Sequence, residues 1–168
     1  MRTLFLGGVV AVLVASLTGC WGGSDTNSAN EQALQRKADF YDIDQIERKF
    51  HQATTKKDIQ LMMSLWAPSA NLTVGPATTA TGRQQIRRFW LEKSDAFEPT
   101  NHWVSDHPAY KVRITVNGDR GTLHFECHYI DAMTGKVALT TVADQDVARI
   151  NGQWLITNMV AGSTALTP

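Results

Sequence analysis

Two Asn-Gly pairs divide the second half of the chain into long runs in which apolar and polar residues alternate. Asn117-Gly118 follows one such run and Asn151-Gly152 separates the last two. Asn-Gly favours the left-handed backbone of tight turns that join neighbouring antiparallel strands. The pattern therefore predicts an antiparallel meander, with strands at about 110–116, 123–129, 136–150 and 153–161.

The preceding part of the chain shows the helical period instead. Asp42 and Asp58 are suitable N-caps for two helices, the second ending at Pro68, and a third helix is predicted from Gly82. Helices first and hairpins afterwards predict an α+β fold rather than alternating βαβ units. The predicted apolar faces are Ile43, Ile46, Phe50 and Ala53; Ile59, Met62, Met63 and Trp66; and Ile86, Phe89 and Trp90.

The N-terminus has the pattern of an export signal. Arg2 precedes an almost unbroken apolar run from Leu4 to Leu17, which is too short for a comfortable membrane span. A buried core helix would carry polar residues on one face, and none interrupts positions 4–15. The run ends in Leu17-Thr18-Gly19-Cys20, which resembles the lipobox of bacterial lipoproteins.

That resemblance implies a signal peptide at residues 1–19 and acylation of Cys20, which becomes the first mature residue. Two or more acyl chains hold a protein on a membrane without a spanning helix. Trp21 stands where an Asp signals retention in the inner membrane, so we expect the periplasmic face of the outer membrane. Residues 20–38 are poor in large apolar side chains and are predicted to form a flexible tether before a single domain at 39–168.

Charge and cysteine content restrict the function further. Without Arg2, the mature chain has fifteen Lys and Arg residues against sixteen Asp and Glu, so nucleic acid is not an expected partner. With Cys20 acylated, Cys127 has no partner for an intrachain disulfide. Cys127 lies among apolar residues at strand spacing and is predicted to be a small buried hydrophobe.

Four short motifs occur in a fixed order along the chain: Trp66-Ala67-Pro68-Ser69-Ala70, Gly82-Arg83-Gln84-Gln85-Ile86, Asn117-Gly118-Asp119-Arg120 and Asn151-Gly152-Gln153-Trp154. Their order and spacing resemble the SnoaL-like branch of the nuclear transport factor 2-like superfamily over residues 41–166. This resemblance implies a cone-shaped fold, with N-terminal helices packed on a curved antiparallel sheet around a cavity. Members of this superfamily include polyketide cyclases, ketosteroid isomerases, dehydratases, epoxide hydrolases and binding or assembly proteins, so the fold alone leaves the function open.

The resemblance also places His102 and Gln145 inside the cavity. His102 is the candidate acid or base, and the alternative is a surface histidine at the start of a strand. Gln145 stands where many members carry an acid, and a glutamine can hydrogen-bond a ligand but cannot act as a base. Trp66, Trp90 and Met159 are predicted to supply apolar wall. Catalysis is therefore expected to be weak or absent.

His124, Glu126 and His128 alternate along one strand and share a face, which makes them the candidate metal ligands. The triplet lacks the helical His-Glu-x-x-His spacing of hydrolytic zinc sites. We therefore interpret it as the polar face of a strand, paired across to its neighbours, and predict neither a metal nor a cofactor.

Three functions follow. A membrane-anchored lipoprotein that binds a small apolar or amphipathic ligand is preferred, because the family acid is missing. The first alternative is a SnoaL-like isomerase, dehydratase or cyclase that uses His102 as acid and base. The second is an envelope assembly or interaction protein, whose sheet serves for homodimerisation or partner docking.

The lipidation of Cys20 has a direct test. Cys20→Ser should release the protein from the membrane fraction or leave the signal peptide uncleaved, because serine offers no thiol for acylation. Fractionation of cells and the mass of the mature chain measure both effects. Normal processing and unchanged membrane association of Cys20→Ser would contradict the lipobox interpretation.

Overall fold

The computed structural model describes residues 24–105 and 109–165. The predicted signal peptide and Cys20 lie outside the described residues. Among the helices of the described part, none is long and apolar enough to cross a membrane.

Helices and strands follow one another as an α+β fold, as predicted. The helices are α1 (Ser24–Lys56), α2 (Ile59–Ser64) and α3 (Gly82–Glu92), and a short 3-10 turn spans Asp95–Phe97. The strands are β1 (Trp66–Val74), β2 (Thr78–Thr81), β3 (Trp103–Ser105), β4 (Lys111–Asn117), β5 (Arg120–Asp131), β6 (Val137–Ile150) and β7 (Gln153–Ala165).

All seven strands form one sheet in the order β2-β1-β7-β6-β5, and β3 and β4 share the far edge of β5. Every pair is antiparallel except β1 with β7, which run parallel. The register shifts between Asp146 and Val147 on β6 and between Tyr129 and Ile130 on β5. Such irregularities bend and twist strands, which suits a sheet that curves around a cavity.

Both predicted hairpins are present, with turns of different type. Asn151 and Gly152 both have positive φ, 52° and 80°, as a two-residue type I′ turn requires. In the other hairpin Asn117 pairs with Arg120, so the turn residues are Gly118 and Asp119, and only Gly118 has positive φ. Glycine at the first turn position is typical of type II′.

The structure differs from the sequence prediction at the helices. Residues 24–38, predicted to be a flexible tether, form the first turns of α1. Their described side chains are exposed, and Asp39 is the first buried residue of the helix. The reason is composition, since this segment is rich in Ala, Glu, Gln, Leu, Arg and Lys, which favour helix even without burial.

The second predicted helix is shorter than expected. Asp58 does cap α2, where its side chain accepts a hydrogen bond from the Leu61 N–H at 2.9 Å, but the helix ends at Ser64 and Trp66 begins β1. Pro68 lies inside β1, in the irregular stretch between the Trp66–Ile156 and Asn71–Asn158 pairs. A proline is tolerated there because the ladder does not need its missing N–H.

The core lies between the inner face of the sheet and the helices. On β5 the inward residues are Leu123, Phe125, Cys127 and Tyr129, and all are buried, as the alternation predicts. Cys127 has no exposed surface, and the Ser105 hydroxyl lies 3.9 Å from its sulfur. On β6 the inward residues are Thr141, Ala143, Gln145 and Val147, whereas Asp144 and Asp146 are exposed on the opposite face.

A buried carboxylate fixes α1 to both hairpins. Asp39 accepts hydrogen bonds from Gln35 at 2.9 Å and from the Trp154 indole at 3.3 Å, and it is ion-paired with Arg149. Arg149 also lies over the Trp154 ring at 4.9 Å and reaches Asp119 at 3.0 Å. Burial alone would raise the pKa of Asp39, but these hydrogen bonds outweigh burial and lower it. The carboxylate is therefore ionised and holds α1 in place.

Gly121 is the glycine that the packing requires. A Cβ at this position would lie 2.5 Å from the backbone oxygen of Thr115 on the neighbouring strand, and 3.2 Å from the Ile43 side chain. We expect Gly121→Ala to lower the free energy of unfolding by about 2 kcal/mol, because backbone must move to make room. Urea denaturation measures the change.

Gly162→Ala is the matched control for this prediction. Gly162 also lies in a strand and its φ is not in the left-handed region, yet a Cβ there would meet nothing within 4 Å. The free energy of unfolding of Gly162→Ala should therefore equal or slightly exceed that of the parent chain. Equal stabilities of the two variants would contradict the packing argument.

Candidate functional site

A cavity of about 200 Å³ lies between α3, the following 3-10 turn and the inner face of the sheet. Most of its wall is apolar, and the exposed residues Lys93 and Asp95 mark its mouth. The lining residues are Phe50, Val74, Thr78, Phe89, Trp90, Lys93, Ser94, Asp95, Ala96, Tyr129, Leu139, Thr141, Met159, Ala161 and Gly162.

Small side chains in the middle of the sheet leave this space open. Ala143 on β6 lies beside Ala161 on β7, and Ala161 lies beside Val74 on β1. Two residues along each strand, the corresponding positions carry Gln145, Met159 and Leu72, which are longer, and Met159 lines the cavity. The short side chain of Ala161 thus leaves part of this space open.

Aromatic rings form the helical wall of the cavity and hold one another in place. Trp90 meets Phe50 edge-to-face, with ring centroids 5.4 Å apart, and meets Phe89 in the same way at 5.2 Å. Phe97 packs on Trp90 from the 3-10 turn at 5.6 Å. Such pairs add about 0.5–1.5 kcal/mol each beyond their burial, so this wall is rigid.

The turn at the mouth is held by a half-buried lysine. Lys57 donates hydrogen bonds to the Ala96 carbonyl at 3.1 Å and to the Asn101 side chain at 2.8 Å. Burial lowers the pKa of Lys57, and the charge of Glu98 acts in the opposite direction. The two contacts join the C-terminal end of α1 to residues 95–101, and so position the cavity mouth.

Three buried side chains carry a polar atom that has no hydrogen-bond partner among the described residues. The atoms are the side-chain oxygen Oε1 of Gln145 and the indole nitrogens Nε1 of Trp66 and Trp90, of which only Trp90 lines the cavity. The amide nitrogen of Gln145 donates only to the Met159 sulfur, at 3.6 Å. An unpaired buried polar group costs about 1–3 kcal/mol of stability.

Tyr129 adds a hydroxyl to the cavity lining. Burial raises the pKa of the Tyr129 phenol well above its usual range, and a hydrogen bond with Thr54 acts in the opposite direction. The side chain is therefore neutral, and it can donate or accept a hydrogen bond but cannot serve as a base.

The structure brings most of the predicted ligand-binding residues together. Trp90 and Met159 line the cavity, and Gln145 lies beside Met159, facing away from Asp144 and Asp146 as predicted. Trp66 is fully buried at the start of β1, although it is not among the lining residues.

His102 is the exception. Its side chain is exposed, so the prediction that it shares a cavity with Gln145 is wrong. The reason lies in its backbone. The His102 carbonyl accepts a hydrogen bond from the N–H of Ala132, just after β5, and the next residue, Trp103, pairs with Asp131 at the sheet edge. This placement corresponds to the alternative of a surface histidine at the start of a strand.

The sequence analysis missed a buried polar chain under α1. The His51 Nε2 atom lies 3.0 Å from the Glu47 carboxylate, and its Nδ1 atom lies 2.5 Å from the Ser105 hydroxyl. Glu47 also accepts a hydrogen bond from the Ala109 N–H at 3.1 Å. A signal was available, since Glu47 and His51 fall at helical spacing within the apolar stripe that begins at Ile43.

In chemical terms, this chain contains a carboxylate, an imidazole and a hydroxyl. These three groups are the types that transfer protons in general acid and base catalysis. However, His51 is 1% exposed, and Phe125 packs on its ring at 5.1 Å. His51 is not among the residues that line the cavity. The described contacts make it a bridge that joins α1 to β3.

The candidate metal triplet lies on the outer face of the sheet and is paired with its neighbours. His124 is 2.7 Å from Asp144 on β6 and 3.3 Å from Glu126 on its own strand. Glu126 also contacts Lys111 at 2.6 Å. His128 stacks on the Tyr110 ring at 4.7 Å. Within residues 24–105 and 109–165, no group of three His, Cys, Asp or Glu side chains could hold a metal ion.

Comparison with known proteins gives one family and many similar folds. The model described as a SnoaL-like domain matches residues 35–160. None of the curated proteins compared with the chain gives a significant match.

Three solved structures illustrate the similarity. A cystatin-like-fold protein of unknown function from Nostoc punctiforme has 18% identity, a TM-score of 0.66, and coverage of 78% of this chain and 95% of its own. A nuclear transport factor 2-like protein of unknown function from Pseudomonas putida has 15% identity, a TM-score of 0.62, and coverage of 80% and 87%. The hexachlorocyclohexane dehydrochlorinase LinA-type3 from Novosphingobium barchaimii has 18% identity, a TM-score of 0.64, and coverage of 81% and 93%. At these identities the likeness establishes the fold only.

The outer-face network predicts a pH dependence of stability. The hydrogen bond from Lys111, helped by Tyr110 and His124 and opposed by burial, lowers the pKa of Glu126 from 4.5 to about 2. Ionised Glu126 therefore stabilises the folded chain fully above about pH 4.5, and this contribution is lost as the pH falls towards 2. Glu126→Gln should lower the urea midpoint near neutral pH, and its difference from the parent should shrink over that acid range. Glu31→Gln, exposed on α1, is the control, and a difference that stays constant with pH would contradict the prediction.

Proposed function

Because the chain belongs to the SnoaL-like domain family, we propose that its cavity binds a small apolar or amphipathic ligand. We also propose that acyl chains on Cys20 attach the protein to the bacterial envelope, at the periplasmic face of the outer membrane. The exposed, helical residues 24–38 would then separate the domain from the lipid surface.

The size of the cavity limits the ligand. An apolar cavity of about 150 Å³ in a protein core accommodates benzene, and drug-sized ligands occupy about 300 Å³ or more. The volume of about 200 Å³ therefore suits a single ring with one or two small substituents, or an aliphatic molecule of similar bulk. A larger amphipathic ligand would extend past Lys93 and Asp95 into solvent.

One observation carries the choice of binding over catalysis. Position 145, where many family members carry an acid, holds Gln145 beside the lining residue Met159, and an amide cannot take a proton from a ligand. His102, the acid or base expected from the family resemblance, is exposed at the sheet edge. Aromatic wall with few polar groups is the usual composition of a small-molecule site.

A proton-transfer enzyme is the second candidate, and the buried Glu47–His51 pair is the observation that favours it. One similar structure carries the name of a dehydrochlorinase, which keeps an elimination within the range of this fold. Against it, the rings of Phe50 and Phe125 pack around His51, with centroids 6.1 Å and 5.1 Å from the imidazole. Substrate would have to displace this packing, so binding remains the preferred function. An assembly or homodimer role would instead use the outer face of the sheet, where Val160 is half exposed.

Filling the cavity tests the binding function. Ala161→Phe should weaken binding of toluene by about tenfold or more, because the new ring takes the space of the ligand. Val160→Phe is the matched control, since Val160 is the preceding residue on β7 and faces outward. Binding is measured by titration of the isotope-labelled mature domain and by the shift of its melting temperature at saturating ligand.

The two variants separate the outcomes. Loss of binding in Ala161→Phe with binding retained in Val160→Phe supports the cavity as the site. Equal binding by both variants, or no binding of single-ring compounds by the parent domain, would contradict the proposed function.

A further inference from the structure

We infer that the ligand of the cavity is a zwitterionic α-amino acid, with an aromatic side chain in the cavity and both charged groups at the mouth. This inference rests on the proposed binding function and adds the chemical class of the ligand. It is carried by two exposed side chains of opposite charge, Lys93 and Asp95, which line the cavity where it opens to solvent.

Both charged side chains are accessible to a ligand. Lys93 and Asp95 belong to the lining of the same cavity, and both are exposed to solvent. Within residues 24–105 and 109–165, neither side chain has a hydrogen bond or an ion pair, and the two are not paired with each other. One cationic and one anionic group are therefore available at the entrance to a largely apolar space.

The backbone fixes the positions from which these side chains extend. Lys93 is the C-cap of α3, and its N–H donates to the Phe89 carbonyl at 2.9 Å. Asp95 begins the 3-10 turn, and its carbonyl accepts hydrogen bonds from the Glu98 N–H at 3.1 Å and from the Asn101 side chain. The two side chains can therefore turn towards a ligand while their backbone stays in place.

The spacing of the two charges matches a compact zwitterion. Lys93 and Asp95 are two residues apart, so their Cα atoms are separated by about 7.6 Å at most. An α-amino acid carries its ammonium and its carboxylate on a single carbon atom. Such a molecule can present the carboxylate to Lys93 and the ammonium to Asp95, whereas a zwitterion with widely separated charges does not match this spacing.

The aromatic wall of the cavity lies next to the charges. Phe89 and Trp90 line the cavity and precede Lys93 by four and three residues, so they lie on its side of α3, one turn away. In phenylalanine, one methylene group separates the ring from the carbon that bears both charges. A ring packed on this wall, in a cavity of about 200 Å³, therefore leaves the charged groups at the mouth, where they keep part of their hydration.

The other charges near the mouth favour neither a pure anion nor a pure cation. Arg88 lines an adjoining cavity that shares part of its wall with this one, and Arg88 lies 4.0 Å from Glu92. Lys57 is already engaged in the two hydrogen bonds that hold the turn. A ligand with a single charge leaves either Lys93 or Asp95 without a partner, whereas a zwitterion pairs with both.

Four probes that share one phenyl ring test this inference. Phenylalanine carries both charges, 3-phenylpropanoate only the carboxylate, phenethylamine only the ammonium, and ethylbenzene neither. At pH 7 we expect phenylalanine to bind the mature chain about twofold to fivefold more tightly than either singly charged probe, which is the effect of one exposed ion pair. Titration of the isotope-labelled mature chain at low ionic strength measures the affinities, and added salt should reduce both ratios.

Two variants assign the charges to the two residues. Lys93→Met should abolish the advantage of phenylalanine over phenethylamine, because this advantage comes from the carboxylate. Asp95→Asn should abolish its advantage over 3-phenylpropanoate, because that advantage comes from the ammonium. Lys37→Met and Asp42→Asn are the matched controls, since both residues are exposed on α1 and outside the lining of this cavity. Both controls should keep the affinity ratios of the parent chain.

The outcomes separate this inference from the proposed function. If either singly charged probe binds as tightly as phenylalanine, or if Lys93→Met and Asp95→Asn keep the ratios of the parent, the zwitterion inference is wrong, and binding of ethylbenzene still supports the cavity as a site. Phenylalanine binding that survives Ala161→Phe also overturns the inference, because the amino acid then binds elsewhere. If none of the four probes binds, both proposals fail.

Discussion

The fold depends on covering the concave face of a curved sheet without filling it. Helices α1 and α3 supply the cover, and the contact of Phe50 with Phe125, at 5.4 Å between ring centroids, joins α1 to the centre of the sheet. Beside it, the short side chain of Ala161 on β7 borders the cavity, together with Phe50 and Trp90 from the helices. Close packing of the rest of this face stabilises the domain.

Buried polar groups of two kinds lie under this cover. Asp39, Glu47 and His51 are paired within the protein, and their contacts reach from α1 to both hairpins and to β3. Gln145 Oε1 and the Trp90 indole N–H are unpaired among the described residues; Trp90 lines the cavity, and Gln145 lies beside the lining residue Met159. Paired groups of this kind position one element against another. Unpaired buried groups lower the stability of the folded chain.

Much of the fold could be predicted from the sequence, because strands and turns leave local signals. The alternation on β5 identified Leu123, Phe125, Cys127 and Tyr129 as one buried face, and the Asn-Gly pairs located both hairpins. The candidate site was predicted in part. Trp90 and Met159 lie at the cavity and Gln145 lies beside it, whereas His102 is exposed, because a residue at a sheet edge can turn either way and nothing local decides which.

The sequence by itself determined the α+β class, with helices before the hairpins, the buried face of β5 and the amide at position 145. Those properties follow from the period of the apolar residues and from backbone preferences within a few residues. Only the tertiary structure decided that Glu47 and His51 meet Ser105, that Trp90 and Met159 border one cavity, and how large that cavity is. Contacts between residues distant in the chain depend on the curvature of the sheet and on the volumes of side chains in facing layers, and no local pattern encodes either.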